Sequence, residues 1–360
     1  MPGSSFGRIF SITTFGESHG AGIGVVLDGV PPGIALSAED IQKDLDRRRP
    51  GQSAITTPRE EKDRVEILSG IFEGLTTGAP VALLIRNEDT RSGDYDALKG
   101  LIRPGHADWT YRAKYGLRDW RGSGRASGRE TAARVAAGAI ARKMLAARGV
   151  SILGYTLEID GVRAARVDPN EIERNPARCP DPEAAGLMVE RIEQARAEGD
   201  SVGGVVEVTV AGCPAGLGEP VFDKLEALLA HAIMSVGAVR GVEIGAGFQA
   251  ARMRGSLYND EPYRDAGGMR TRTNNAGGIA GGISNGMQIV LRAAVRPPAS
   301  ISRPQKTVDA AGAPVTVRIE GRHDPCIVPR AVPVLEAMTA LVLADCLLIQ
   351  DAYQGFRSKP

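Results

Sequence analysis

Residues 332 to 352 read VPVLEAMTALVLADCLLIQDA, and a helix drawn through them is apolar around most of its circumference. Such a helix has no face for water and must be enclosed by other layers of structure. A second stretch adds to the constraint. Ser127 and Glu130 have the spacing of a capping box ahead of TAARVAAGAIARKMLAAR, which stops at Gly149. That helix is a rod of roughly 28 Å at 1.5 Å per residue, and its small side chains let another helix approach closely. A third helix is expected over about 220–236. Strand-like segments lie at 23–28, 80–86, 151–159, 203–210, 286–296 and 314–320, most of them β-branched and ended by Gly, Pro or Asn. Strands in both halves, each with a long apolar helix, suggest two related halves whose helices share a central layer between sheets.

The 360 residues suit one large domain or two smaller ones, and 45 glycines imply many tight turns or close backbone approaches. Only 4% of the residues are aromatic, so the core must be built from Ala, Val, Leu and Ile. The 44 basic and 43 acidic residues leave a formal charge of +1, which gives no overall footprint for nucleic acid. Cys179, Cys213, Cys326 and Cys346 lack metal-ligand spacing and read as free buried thiols of a reducing compartment. The N-terminus has no signal pattern and no 18-residue apolar span is evident, so a cytoplasmic protein is expected. No GxGxxG opens a helix after the first strand, and the GSGR at 122–125 lacks the Lys-Ser/Thr of a phosphate loop.

Chemistry-bearing residues fall into clusters. FGESHG at 15–20 holds His19, one of four histidines, in a glycine-flanked turn. DLDRRRPGQSA at 44–54 places Arg47, Arg48 and Arg49 at the end of a short helix that Ser37 and Asp40 can cap; the arginines can serve that helix's C-terminus or reach an anion. Residues 103–131 gather Arg103, His106, Asp108, Arg118, Arg121, Arg125 and Arg129 with both tryptophans. The small turns and neutral overall charge favour a compact pocket for an anionic small molecule over an RNA-binding stripe. Arginine suits carboxylates and phosphates because its fixed donors engage two oxygens at once. NNAGGIAGGISNG at 274–286 lets backbone amides approach a flat or phosphorylated ligand, with Asn274 and Asn275 beside them, or it is a structural turn. GRHDPCIVPRA at 321–331 sets Arg322, His323 and Asp324 just before the enclosed helix. His19, His106 and His323 make a poor metal site, since arginine beside a cation is unfavourable. Proton transfer suits them better, because bound phosphate raises an imidazole pKa that nearby arginines depress. His231, in a leucine-rich helix, reads as a packing or surface residue.

FGESHG, DLDRRRPG at 44–51, RPGHADWTYRAKYGLRDWRGSGRASGRET at 103–131, GGIAGGISNG at 277–286 and GRHDPCIVPR at 321–330 occur in order along nearly the whole chain. In these stretches the sequence resembles the chorismate synthase family. The resemblance implies an α+β fold, a β-α-β sandwich with its Ala-rich helices between mostly antiparallel sheets, as a single catalytic domain over 1–360 with a variable surface excursion near 163–200. It implies a homotetramer that eliminates the 3-phosphate and a ring hydrogen from 5-enolpyruvylshikimate 3-phosphate to give chorismate. Reduced FMN is required without net redox change, and no segment resembles a separate NAD(P)H-binding insert, so an external flavin reductase or other reductant is expected. By the same resemblance His19 is the general acid, His106 stands near the flavin ring, and Asp324 assists proton acceptance through the flavin. Arg48, Arg49, Arg125 and Arg129 are the substrate's anion-binding arginines. Ser127, Asn274, Gly286, Lys306 and Thr307 (the last two in RPQKT at 303–307) and Arg322 are cofactor contacts. Two readings from other classes, a non-enzymatic anion- or RNA-binding protein and a metal-dependent phosphatase, differ from this one in needing no reduced flavin.

Overall fold

The apolar C-terminal stretch is a helix in the middle of the molecule. The computed structural model describes residues 3–52, 55–56, 61–88, 98–319, 321 and 323–355. Among them the helices are Ala38–Arg48 (α1), Asp108–Tyr115 (α2), Thr131–Ala146 (α3), Pro182–Ala197 (α4), Leu225–Met234 (α5), Gly255–Tyr258 (α6) and Val328–Gln354 (α7). From Val328 to Leu347 every residue of α7 except Arg330 is buried. Pro329 sits in its first turn, where a missing N–H removes no helical bond. By length and mean hydropathy α7 would also pass for a membrane span, contrary to the expectation that no such run exists. Yet 89% of its most apolar 18-residue window is buried inside the fold.

Two five-stranded antiparallel sheets enclose the helices. The first runs in the order Ser5–Phe6, Ser11–Gly16, Gly22–Asp28, Val81–Arg86, Val65–Ile67. The second runs Val239–Ile244, Ile289–Val295, Gly204–Ala211, Ser151–Ile159, Val162–Arg163. The period of two settles which face is covered: Ile23, Val25 and Leu27 are buried while Val26 is exposed, and Val206, Val208 and Val210 turn inward together. Helix α3, with α1 beside it, lies against the first sheet, and α7, with α5 beside it, lies against the second. Helices α3 and α7 then pack on each other, which makes the sheet, helix, helix, sheet stack. Glu336 joins these layers. Its carboxylate is 1% exposed and accepts from Gly154 N of the second sheet at 2.7 Å and from Arg47 Nη1 of α1 at 2.5 Å.

Several expected boundaries move for local reasons. Asp40 accepts from Ser37 N at 3.1 Å, so α1 is capped as expected. Ser127 instead caps a separate 3-10 turn, Gly128–Glu130, by accepting from Arg129 N at 3.2 Å. Glu130 does not complete the box, because its carboxylate accepts from Thr14 Oγ1 at 3.0 Å and from Arg134 Nε at 2.8 Å. Helix α5 starts only after Lys224, whose backbone is non-helical. The segment near 163–200 is more than a surface excursion: α4 buries Ala184, Met188 and Ile192 in the main core. All four cysteines are buried and unbridged.

Candidate active site

The glycine-flanked turn at 15–20 ends one strand of the first sheet and leads into the next. Asn87, just past Val81–Arg86, holds it from the side: its Nδ2 donates to Glu17 O at 3.0 Å and to Gly20 O at 2.8 Å. Ser18 is fully buried and its Oγ lies 3.2 Å from His19 Nδ1. The imidazole rests on Gly122, where a Cβ would come within 2.2 Å of His19 Cε1. Gly122, Ser123 and Gly124 all have positive φ, at 65°, 84° and 52°, a run that suits glycine and brings bare backbone against the ring. Ser123 is held there because its Oγ accepts from Arg103 Nη2 at 2.9 Å.

Gly122 and Ser123 form one wall of a cleft of 1210 Å³ that lies between the start of α3, the start of α7 and the segment 296–300. Arg48, His106, Arg125, Ser127, Arg129 and Asp324 line it together. Arg48 and Arg129 are 3% and 4% exposed and share Asp63, one to each carboxylate oxygen. Burial pulls Arg48 down to about 10 against the opposing pull of Asp63, so it stays charged at neutral pH. Burial also raises Asp63, but Arg48 and Arg129 outweigh it and hold the carboxyl below its usual range. Arg125 donates to Thr14 Oγ1 at 2.7 Å and to Gly16 O at 3.2 Å, which ties its loop back to the histidine turn. Asp324 pairs with Arg330 Nη1 at 2.5 Å, and Arg330 Nε donates to Arg48 O at 3.3 Å.

His106 Nε2 lies 2.9 Å from Ser300 Oγ. Burial first, then Arg103, pushes its pKa down to about 4, so the imidazole is neutral at pH 7. Much of the charge around it is structural. Asp108, also buried, accepts from Arg103 N at 3.0 Å, Arg103 Nε at 2.8 Å and Arg103 Nη2 at 2.7 Å, and pairs with Arg118 Nη1 at 2.7 Å.

The residues present fit a flavin. The cleft exceeds the roughly 300–1,000 Å³ of a single-ligand pocket, which leaves space for a cofactor and a substrate side by side. At Gly128 and Gly237, both on its wall, a Cβ would meet nothing within 4 Å, so a flat ring system can approach the backbone.

The family model for chorismate synthase matches residues 10–348. The chain belongs to the chorismate synthase family. It is 62% identical to the chorismate synthase of Syntrophobacter fumaroxidans over 348 residues, 97% of this chain and 98% of that one. It is 58% identical to that of Methanosarcina mazei, covering 97% of each chain. A crystal structure of chorismate synthase superposes with a TM-score of 0.78 at 35% identity, over 96% of this chain and 93% of that one. The antiparallel sheets and enclosed helices agree with that architecture.

Against the positions that resemblance to chorismate synthase implies, the cleft brings together His106, Asp324, Arg48, Arg125, Arg129 and Ser127; His19 is not among the lining residues, but its ring rests against Gly122, which is. Other positions stand elsewhere. Arg49 is half-buried, does not line the cleft and pairs with Asp46 at 3.6 Å. Asn274 closes its own loop, with Nδ2 donating to Gln288 O at 2.8 Å and Oδ1 accepting from Gly278 N at 2.9 Å. Gly286, in the same loop, has φ 85°. Lys306 and Thr307 belong to the hairpin of Gln305–Val308 with Pro314–Val317, where the Thr307 hydroxyl donates to Ile102 O. None of Asn274, Gly286, Lys306 and Thr307 lines the cleft, and Arg322 lies outside the described residues. His231, read as a packing or surface residue, lines the cleft, with Phe6 at a ring distance of 5.5 Å. The segment that reaches the cleft after the last strand of the second sheet is RPPAS at 296–300, not RPQKT. Its paired prolines, which prevent the strand from continuing, were the available signal. Asn87, Asp63 and Arg330 carried none, because each is significant only through partners distant in sequence.

Proposed function

We propose that the chain carries out its family's reaction in this cleft: elimination of the 3-phosphate and a ring hydrogen from 5-enolpyruvylshikimate 3-phosphate, giving chorismate and inorganic phosphate. One observation carries the assignment. A single cleft joins buried arginines, a neutral imidazole and an aspartate to an open glycine wall. Arg48, Arg129 and Arg125 bind the anionic groups and stabilise the charge that develops on the leaving phosphate. His19 donates a proton as the phosphate departs, and Asp324, held by Arg330, is the acceptor side of the site. Ser127, the backbone at 122–128 and His106 would hold the cofactor. When bound, reduced FMN supplies the electron that assists C–O cleavage and takes it back afterwards. The working enzyme on this reading is a cytoplasmic homotetramer supplied with reduced FMN by a separate reductant.

The test is anaerobic phosphate release from 5-enolpyruvylshikimate 3-phosphate with chorismate monitored in parallel, using dithionite-reduced FMN, oxidised FMN or no flavin. Equal phosphate and chorismate with reduced FMN alone supports the reading. Phosphate without chorismate, or indifference to flavin reduction, overturns it.

A further inference from the structure

Asp63 touches the two most buried arginines of the cleft, yet it is not itself among the residues that line the cleft. Its side chain is fully buried, and its backbone has φ 47°, a left-handed conformation that a residue other than glycine adopts only when its surroundings hold it. Those surroundings are specific. Gln42 of α1 donates from Nε2 to Asp63 O at 3.3 Å and accepts from Val65 N at 3.2 Å, so the helix that carries Arg48 also fixes the loop that carries its partner. Asp63 Oδ2 accepts from Arg48 Nη1 at 2.8 Å, and Asp63 Oδ1 accepts from Arg129 Nη1. The two guanidiniums are further aligned by Arg48 Nε to Thr131 Oγ1 at 3.1 Å, Arg48 Nη2 to Gly128 O at 2.9 Å and Arg129 Nε to Asn87 Oδ1 at 2.8 Å.

We propose that Asp63 is a positioning residue for substrate: it locks Arg48 and Arg129 side by side as one preassembled cradle for an anionic group. This rests on the reading of the cleft given above. Two buried guanidiniums of like charge repel each other; Glu61, 3.7 Å from Arg129 Nη2, offsets part of the charge on one side, but only Asp63 gives an oxygen to each and so sets their spacing. Among the described residues, the hydrogen bonds to protein engage three of the five N–H groups on each guanidinium. The planes of the pair are thus fixed before a ligand arrives, and substrate has little ordering to impose.

The proposal predicts the sign of an effect that charge alone would reverse. In D63N the amide nitrogen is a donor facing a donor, so one of the two arginines must turn away although the cleft has gained positive charge. With reduced FMN under anaerobic conditions, the KM for 5-enolpyruvylshikimate 3-phosphate is expected to rise on the order of tenfold, with kcat held within about threefold. The dissociation constant of FMN is expected to stay within about twofold, since neither arginine is assigned to the cofactor. An unchanged or lower KM, or a fall in kcat alone, overturns the proposal, because an aspartate that only neutralises charge would weaken anion binding and its loss would strengthen it. If D63N does not fold, D63E answers the same question. It keeps the charge but moves both guanidiniums by one methylene, so its KM rises if spacing matters and is unchanged if only charge does. R48K and R129K separate this from failure of the site assignment. If both leave KM unaltered, the arginine cradle and Asp63's role fall together; if they raise KM while the Asp63 variants do not, only the Asp63 proposal falls.

Discussion

Gly138 on α3 lies so close to Ala337 on α7 that a Cβ at Gly138 would stand 2.3 Å from Ala337 Cβ and 2.6 Å from Ala337 Cα. The neighbouring atoms belong to a helix backbone and a methyl group, neither of which can swing aside. G138A should therefore force apart the two helices at the centre of the sandwich. Overpacking of this kind costs about 1–3 kcal/mol, and the better helix propensity of alanine returns about 1 kcal/mol. A net loss is expected, seen as a lower urea midpoint. An unchanged or raised midpoint would show that the helix pair separates freely.

A second prediction concerns Glu336, the buried carboxylate that ties α7 to Gly154 N, Arg47 and Arg142. Burial pulls Arg47 down, but Glu336 and Glu173 outweigh it and hold the guanidinium above its usual range. E336Q keeps an acceptor for Gly154 N and removes the charge, leaving Arg47 with Glu173 alone and Arg142 with Asp44. Breaking a buried pair from one side costs about 3–5 kcal/mol, so denaturant unfolding should show a loss near the lower end of that range. A loss under about 1 kcal/mol would mean that water reaches the site.

The layering was legible because it depends on patterns within single segments: an all-round apolar helix must be enclosed, and alternation in Val206, Val208 and Val210 assigns a covered face. Part of the site was legible for the same reason, since His106, Arg125, Ser127 and Arg129 lie in one run and all line one cleft. What failed was the division of labour among adjacent charges. Arg47 and Arg48 differ by one step of rotation about α1, which sends one to Glu336 and the other to Asp63, while Arg49, the non-helical residue that ends the helix, pairs with Asp46. Asp63 and Arg330 stay silent in sequence because their partners, Arg129 and Asp324 among them, are brought to them only by the fold.

The depressed His106 should appear in the pH dependence of stability. Its folded pKa is about 4 against an ordinary 6.5, so as pH falls the unfolded chain takes up the proton first. The stabilisation is fully present above about pH 6.5 and is lost progressively down to about pH 4, by roughly 3 kcal/mol. H106Q removes this titration, so between pH 7 and 4.5 it should lose less stability than the parent in urea unfolding. Equal losses would assign the acid sensitivity to other groups.

His19 can be tested by removing it and by crowding it. H19A should bind flavin and 5-enolpyruvylshikimate 3-phosphate nearly as the parent does while turnover falls by about 10²–10⁴, the range for loss of a general acid. G122A keeps the histidine but adds a methyl group 2.2 Å from the present position of its Cε1 and 2.4 Å from that of its Nδ1, at a backbone φ of 65° that disfavours alanine. The ring must move, and turnover should fall toward that of H19A with KM little changed. Adding a diffusible imidazole separates the two variants. It should recover part of the activity in H19A, where a void remains, and none in G122A, where the displaced ring fills the space. Normal turnover in H19A would remove His19 from the chemistry, and rescue of G122A would mean that the loop, rather than the ring, had been displaced.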